Sequence, residues 1–229
     1  MKSLGLLAAV CAVSLPVFAG EITGHVLITK KLTKKTISPA AYDLRGATVP
    51  GTPADVNPVN EFERTVVMLE GRNLAAKPPV NVVIDQQNAR FDPDLVVIPV
   101  GSSVRFPNSD PIFHNVFSLS PTHSFDLGYY SMGKSRTVKF DRTGVVQVYC
   151  HIHSNMYAAI VVTASPIFGK PSADGSFNWS DVPPGHYRVV AWHKIAGLRQ
   201  SEVDVPEKGS ATVTIRIPVE AAGKPEANQ

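Results

Sequence analysis

The sequence predicts an all-β protein of the antiparallel sandwich kind, and three observations predict it. Apolar residues recur in short runs, several of them alternating with polar residues, as a half-buried strand requires. Turn formers are abundant, with 19 prolines and 16 glycines in 229 residues, whereas proline is usually about 5% of a chain. No stretch carries the three-and-four spacing of an amphipathic helix. The length suits one large domain or two small ones, each able to bury a core.

Taken in order, strands are expected over residues 21–29, 64–70, 80–85, 95–100, 103–106, 136–140, 145–150 and 158–163. A second set follows at 177–179, 186–192, 201–205 and 211–217. Gly, Pro, Asn and Asp bound these runs, which is the punctuation of antiparallel sandwiches. Residues 39–58 are rich in proline and read as loop. Residues 220–229 form a polar tail.

Residues 1–19 read as a cleaved export signal rather than structure. Lys2 supplies the positive end, residues 4–15 the apolar stretch, and Val17-Phe18-Ala19 the small-residue cleavage pattern. The apolar run is too short to span a bilayer, so no membrane span and a periplasmic location are expected. With 22 Lys plus Arg against 19 Asp plus Glu, the net charge is only +3. That balance argues against nucleic acid as a partner, which needs clustered positive charge. At 18% charged and 44% hydrophobic, the composition is globular rather than disordered. The basic stretch of Lys30, Lys31, Lys34 and Lys35 reads as a solvated hairpin that could dock an acidic partner.

Once the signal is removed, Cys150 is the only cysteine. It cannot form an internal disulfide, so it is either a buried hydrophobe or chemically employed. Alternation along residues 145–150 places Val146, Val148 and Cys150 on one face, with Val145, Gln147 and Tyr149 on the other. The chain continues Cys150-His151-Ile152-His153-Ser154-Asn155-Met156. A thiolate, an imidazole and a thioether on one tight loop are donors suited to copper. A trigonal copper site needs one more imidazole, and His114 offers it between apolar residues in Asp110-Pro111-Ile112-Phe113-His114-Asn115. His151 falls on the face opposite Cys150, and His123 reads as a surface-loop histidine; neither is expected to ligate.

On these residues, positions 80–164 resemble a cupredoxin, the small blue-copper Greek-key sandwich. The spacing Cys150-x2-His153-x2-Met156, with His114 upstream, is similar to the ligand loop of amicyanin and shorter than that of plastocyanin. The resemblance implies His114, Cys150 and His153 as the trigonal ligands of one copper ion and Met156 as the long axial one. It also implies that Asn115 ties the two ligand loops together and tunes the thiolate.

A second resemblance covers the flanks. Asp174-Gly175-Ser176-Phe177, then Val182-Pro183-Pro184-Gly185 with Tyr187 beyond, is similar to a carboxypeptidase regulatory-like domain, a smaller transthyretin-like sandwich. Its opening elements sit at Gly24-His25-Val26 and at residues 66–71, ahead of the cupredoxin-like part. The expected organisation is therefore residues 20–79 and 165–219 forming the regulatory-like sandwich, with 80–164 inserted. The alternative is two small units in series. The combination resembles exported bacterial cupredoxin-like and methylamine-utilisation-like proteins.

No P-loop, GxSxG, HExxH or CxxC motif is present, so no enzyme is expected. His186 and His193, beside the Pro-Pro-Gly turn, read as packing residues. The leading expectation is a periplasmic carrier of single electrons, cycling Cu(I) and Cu(II), with a partner such as a c-type cytochrome or an exported oxidoreductase. A copper-trafficking or sensing protein, and a metal-free envelope-binding sandwich, are the alternatives.

Overall fold

The computed structural model describes residues 19–29, 60–72 and 74–217. Residues 1–18 of the expected signal, the Lys30–Lys35 cluster, the proline-rich loop and the polar tail lie outside the described residues. Among the described residues the chain is all-β, with one short 3-10 turn at Glu61–Arg64. The strands are β1 Gly20–Ile28, β2 Thr65–Glu70, β3 Asn81–Val83, β4 Asp85–Gln87, β5 Arg90–Asp92 and β6 Leu95–Pro99. They continue with β7 Ser103–Pro107, β8 His114–Ser120, β9 His123–Tyr130, β10 Ser135–Lys139, β11 Gly144–Tyr149 and β12 Tyr157–Thr163. The last five are β13 Phe168–Gly169, β14 Ser176–Val182, β15 Gly185–His193, β16 Gly197–Val205 and β17 Ser210–Ile217.

The described residues form five sheets: a two-stranded β4-β5 hairpin and four larger sheets that stack in layers. Of the larger sheets, the first has the order β14-β1-β17 and the second β13-β2-β15-β16. A core of Ile22, Val26, Leu69, Val189 and Ile215 lies between them. The third sheet is β6-β12-β11-β8-β9 and the fourth β10-β7-β3, joined by a core that includes Ile98, Phe106, Val148 and Ile160. Strands from both ends of the chain thus build one stack, and strands from its middle build the other.

The two stacks meet on a third apolar cluster: Val66 and Met68 of β2, Val190 and Trp192 of β15, Leu95 of β6, and Ala159 and Val161 of β12. The reason is visible in the alternation. Along β12, Ala158, Ile160 and Val162 enter the core beside Cys150, while Ala159 and Val161 enter the seam between stacks. In β15, Val189 and Ala191 point one way and Val190 and Trp192 the other. Strands buried on both faces need near-continuous apolar runs, and these are the runs the sequence carries. Each fully buried side chain of this size contributes about 1.5–3 kcal/mol. A charged link reinforces the seam: the Lys194 ammonium donates to the Asp94 carboxylate at 2.5 Å and sits 4.5 Å over the Tyr157 ring. Burial lowers the Lys194 pKa, and Asp94 opposes that shift.

Three expectations about strands need correction. Residues 114–130 form the β8–β9 hairpin, which the polar residues along it had hidden. The run at 80–85 is split between β3 and β4, which belong to different sheets. β16 begins at Gly197 rather than at residue 201, completing its pairing with β15.

Candidate metal centre

His114 opens β8, opposite Tyr130 of β9. The turn before it is closed by Asn108, whose side-chain oxygen accepts from the Asp110 amide at 2.9 Å while its amide group donates to the Ile112 carbonyl at 2.8 Å. Such an Asx turn lets the chain reverse just ahead of the histidine. Cys150 follows the end of β11, on the face of Val146 and Val148, and is buried. The loop beyond it is closed by the Met156 amide donating to the His153 carbonyl at 3.0 Å.

These elements bring His114, Cys150 and His153 together, one ligand atom from each lying within 4.8 Å of the others. The two Nδ1 atoms are 3.1 Å apart, and His153 Nδ1 is 3.7 Å from the Cys150 sulfur. Donors bound at metal–N and metal–S lengths of about 2.0–2.3 Å lie roughly 3.3–3.8 Å apart at tetrahedral to trigonal angles. The 3.7 Å nitrogen–sulfur separation falls within that range and the 3.1 Å nitrogen–nitrogen separation just short of it, so the three side chains form a group able to hold a metal ion. Met156 is buried in the same core cluster as Cys150. His114 is fully buried and His153 half-buried. Ile112 and Phe113, just before His114 in sequence, and Ile152, just before His153, are 45%, 59% and 53% exposed.

Asn115 donates its backbone N–H to the Cys150 sulfur at 3.5 Å. Its side chain does not reach the cysteine loop directly. It donates to Asp126 at 2.7 Å, and the other oxygen of Asp126 is 3.4 Å from the His151 ring. Hydrogen bonds from Gly128 and Asn115 hold the Asp126 carboxyl below the usual carboxylate range.

His151 and His123 are outside the cluster. His151 is exposed and stacks on Phe117 with ring centroids 3.8 Å apart. His123 starts β9, paired with Ser120 at the opposite end of the hairpin from His114. Six residues of strand at about 3.3 Å each separate the two ends. His193 is buried, as a packing residue should be, beside Glu61 at 3.3 Å. His186 is instead exposed and pairs with Asp204 and Glu202.

Sequence reasoning missed Asp110. Its carboxylate accepts from His114 Nε2 at 2.7 Å and from the amides of Asn88 and Ala89 at 2.6 and 2.8 Å. Burial pushes the Asp110 pKa up, but hydrogen bonds from Ala89, His114 and Asn88 outweigh it and hold the carboxyl below its ordinary value. The one local signal was its position four residues before His114. A cleft of about 380 Å³ between the stacks is lined by Met68, Val161, Trp192 and Leu198 among others, and no residue of the His–Cys–His group lines it.

No family model matches the chain, and no relative is found among curated proteins. Similar solved structures include a copper(I) form of an amicyanin mutant, at 18% identity over 36% of this chain and 81% of that one, with a TM-score of 0.34. Another is a purple cupredoxin from Nitrosopumilus maritimus, at 22% identity over 36% of this chain and 99% of that one, with a TM-score of 0.33.

Proposed function

We propose that the chain is an exported electron carrier that holds one copper ion between His114, Cys150 and His153, with Met156 as a fourth, longer-range donor. The observation that carries this reading is the convergence of two Nδ1 atoms and one sulfur at ligand-like separations. Bound there, copper supplies a one-electron Cu(I)/Cu(II) couple.

The chain's own residues do the rest. His114 and Cys150 sit at the ends of paired strands, so the ligand positions change little when charge changes. Exposed Ile112, Phe113 and Ile152, close in sequence to the two histidines, would form an apolar rim beside the half-buried His153. That apolar rim is where a redox partner, a c-type cytochrome or an exported oxidoreductase, would approach the His153 ring. The N-terminal signal read from residues 1–19 supports a periplasmic location.

The test is a visible absorption spectrum after Cu(II) is added, beside a Cys150→Ser variant. An intense red-region band lost in the variant is the expected result. Copper bound without colour would favour trafficking over electron carriage. Failure of the protein to take up copper would overturn the reading.

A further inference from the structure

We propose that Asp110 is a positioning residue for the metal centre: its carboxylate holds His114 in the tautomer that leaves Nδ1 bare toward Cys150 and His153. The proposal rests on the copper reading for its consequence, although the ring geometry it concerns is present in the metal-free chain.

A carboxylate has no proton to donate, so the 2.7 Å contact places the proton on His114 Nε2. In a neutral imidazole the lone pair is then on Nδ1, the atom that faces His153 Nδ1 at 3.1 Å. Had the proton been on Nδ1, the ring would present a donor where a metal needs a ligand. Carboxylate–histidine–metal chains of this kind orient the ring and raise its basicity.

Asp110 is itself held. It is 6% exposed and accepts the amides of Asn88 and Ala89 as well as the ring. Those two residues form the β4–β5 turn with φ of 56° and 50°, a left-handed pair without glycine. Left-handed backbone is unfavourable for an L-residue such as Ala89, and the two amide bonds to Asp110 help to offset it. The turn also touches the other ligand loop: the Ala89 carbonyl accepts from the Asn155 side chain at 2.9 Å. Asn155 lies between His153 and Met156. One turn thus braces both ligand loops, and Asp110 is its contact with the histidine. Capping the turn alone would account for two of the three bonds and leaves the bond to His114 unexplained.

Two measurements test this. The first is the nitrogen-15 spectrum of the His114 ring in metal-free wild-type protein at about pH 8, above the ordinary histidine range. The Nε2–H tautomer is expected; an Nδ1–H ring overturns the proposal whether or not copper binds. The second compares the reduction potentials and Cu(II) affinities of Asp110→Asn and Asn155→Ala. Loss of such an outer partner typically weakens metal binding 10–100-fold. A less basic ring disfavours Cu(II) more than Cu(I), so the Asp110→Asn potential should rise by about 59 mV for each tenfold difference. Asn155→Ala loosens the turn and leaves the ring partner in place, so it should shift the potential less. Equal shifts in the two variants, or no shift in copper-loaded Asp110→Asn, would make Asp110 a turn holder only. A wild-type protein that shows the Nε2–H ring but takes up no copper would defeat the copper reading and leave the Asp110 geometry standing.

Discussion

The Nδ1 atoms of His114 and His153 lie 3.1 Å apart although 39 positions separate the residues in the chain. Their rings meet at 61° with centroids 4.7 Å apart, so edges rather than faces confront each other. The separation is that of a hydrogen bond from one nitrogen to the other. An ion placed between them and the Cys150 sulfur would replace that single bond with three.

Metal should therefore stabilise the fold through these residues. With free Cu(II) a hundredfold above its dissociation constant, the gain is about 2.7 kcal/mol. Thermal denaturation of wild type and His114→Ala, each with and without Cu(II), checks it. The gain should vanish in the variant; an equal gain in both would place the metal elsewhere.

Met156 is buried, so its substitution must separate packing from ligation. Met156→Leu conserves volume and should cost less than about 1.5 kcal/mol. If the thioether also binds copper, the reduction potential changes while the fold persists. Voltammetry giving the wild-type potential in a folded, copper-loaded Met156→Leu protein would assign the side chain to packing alone.

The seam of Val66, Met68, Val161, Val190 and Trp192 predicts that the two stacks unfold together. Trp179 packs on the core of the stack that lacks Cys150 and Trp192 lies in the seam, whereas Cys150 reports on the core of the other stack. Tryptophan fluorescence and Cys150 reactivity toward a thiol reagent should give coincident urea midpoints. Two separated midpoints would show that the seam does not couple them.

Gly24 of β1 lies against the Phe177 ring, where an added Cβ would fall inside the ring's van der Waals envelope. Gly24→Ala must displace an aromatic residue of the core and should cost about 1–3 kcal/mol. Chemical denaturation measures this, and a wild-type midpoint would mean that Phe177 has another rotamer available.

His193 gives a pH dependence with a definite sign. Its Nδ1 accepts from the amides of Ile195 and Ala196, both at 3.1 Å, and its Nε2 faces Glu61. Burial pushes the imidazole below its ordinary value more strongly than Glu61 raises it, and Arg64 adds to the lowering. The unfolded ring takes up a proton below about pH 6.5, while the native ring resists it. This contribution is therefore present above that pH and is lost as the pH falls through the depressed native value. Stability measured across that range should fall less steeply in His193→Gln than in wild type. Parallel slopes would remove His193 from the acid response.

Much of the candidate site was legible because three of its residues are local in sequence. Cys150, His153 and Met156 occupy one loop, and strand alternation alone puts Cys150 on the face of Val146 and Val148, where the structure has it. The apolar runs of β2, β12 and β15 were legible as strands, but not as strands buried on both faces. The β8–β9 hairpin escaped notice because buried Ser118 and Ser120 break the apolar pattern that marks a strand.

By itself, then, the sequence determined an all-β chain, the kinds of donor available and the short loop that carries three of them, since each follows from neighbours a few residues apart. Only the tertiary structure decided that Asp110 rather than solvent meets His114, that the Asn88–Ala89 turn reaches Asn155 from 66 positions away, and that β12 lies against β15. Those relationships depend on sheet register and on how one sheet stacks upon the next. The period of a single strand records which residues share a face, and it carries no information about what that face will meet.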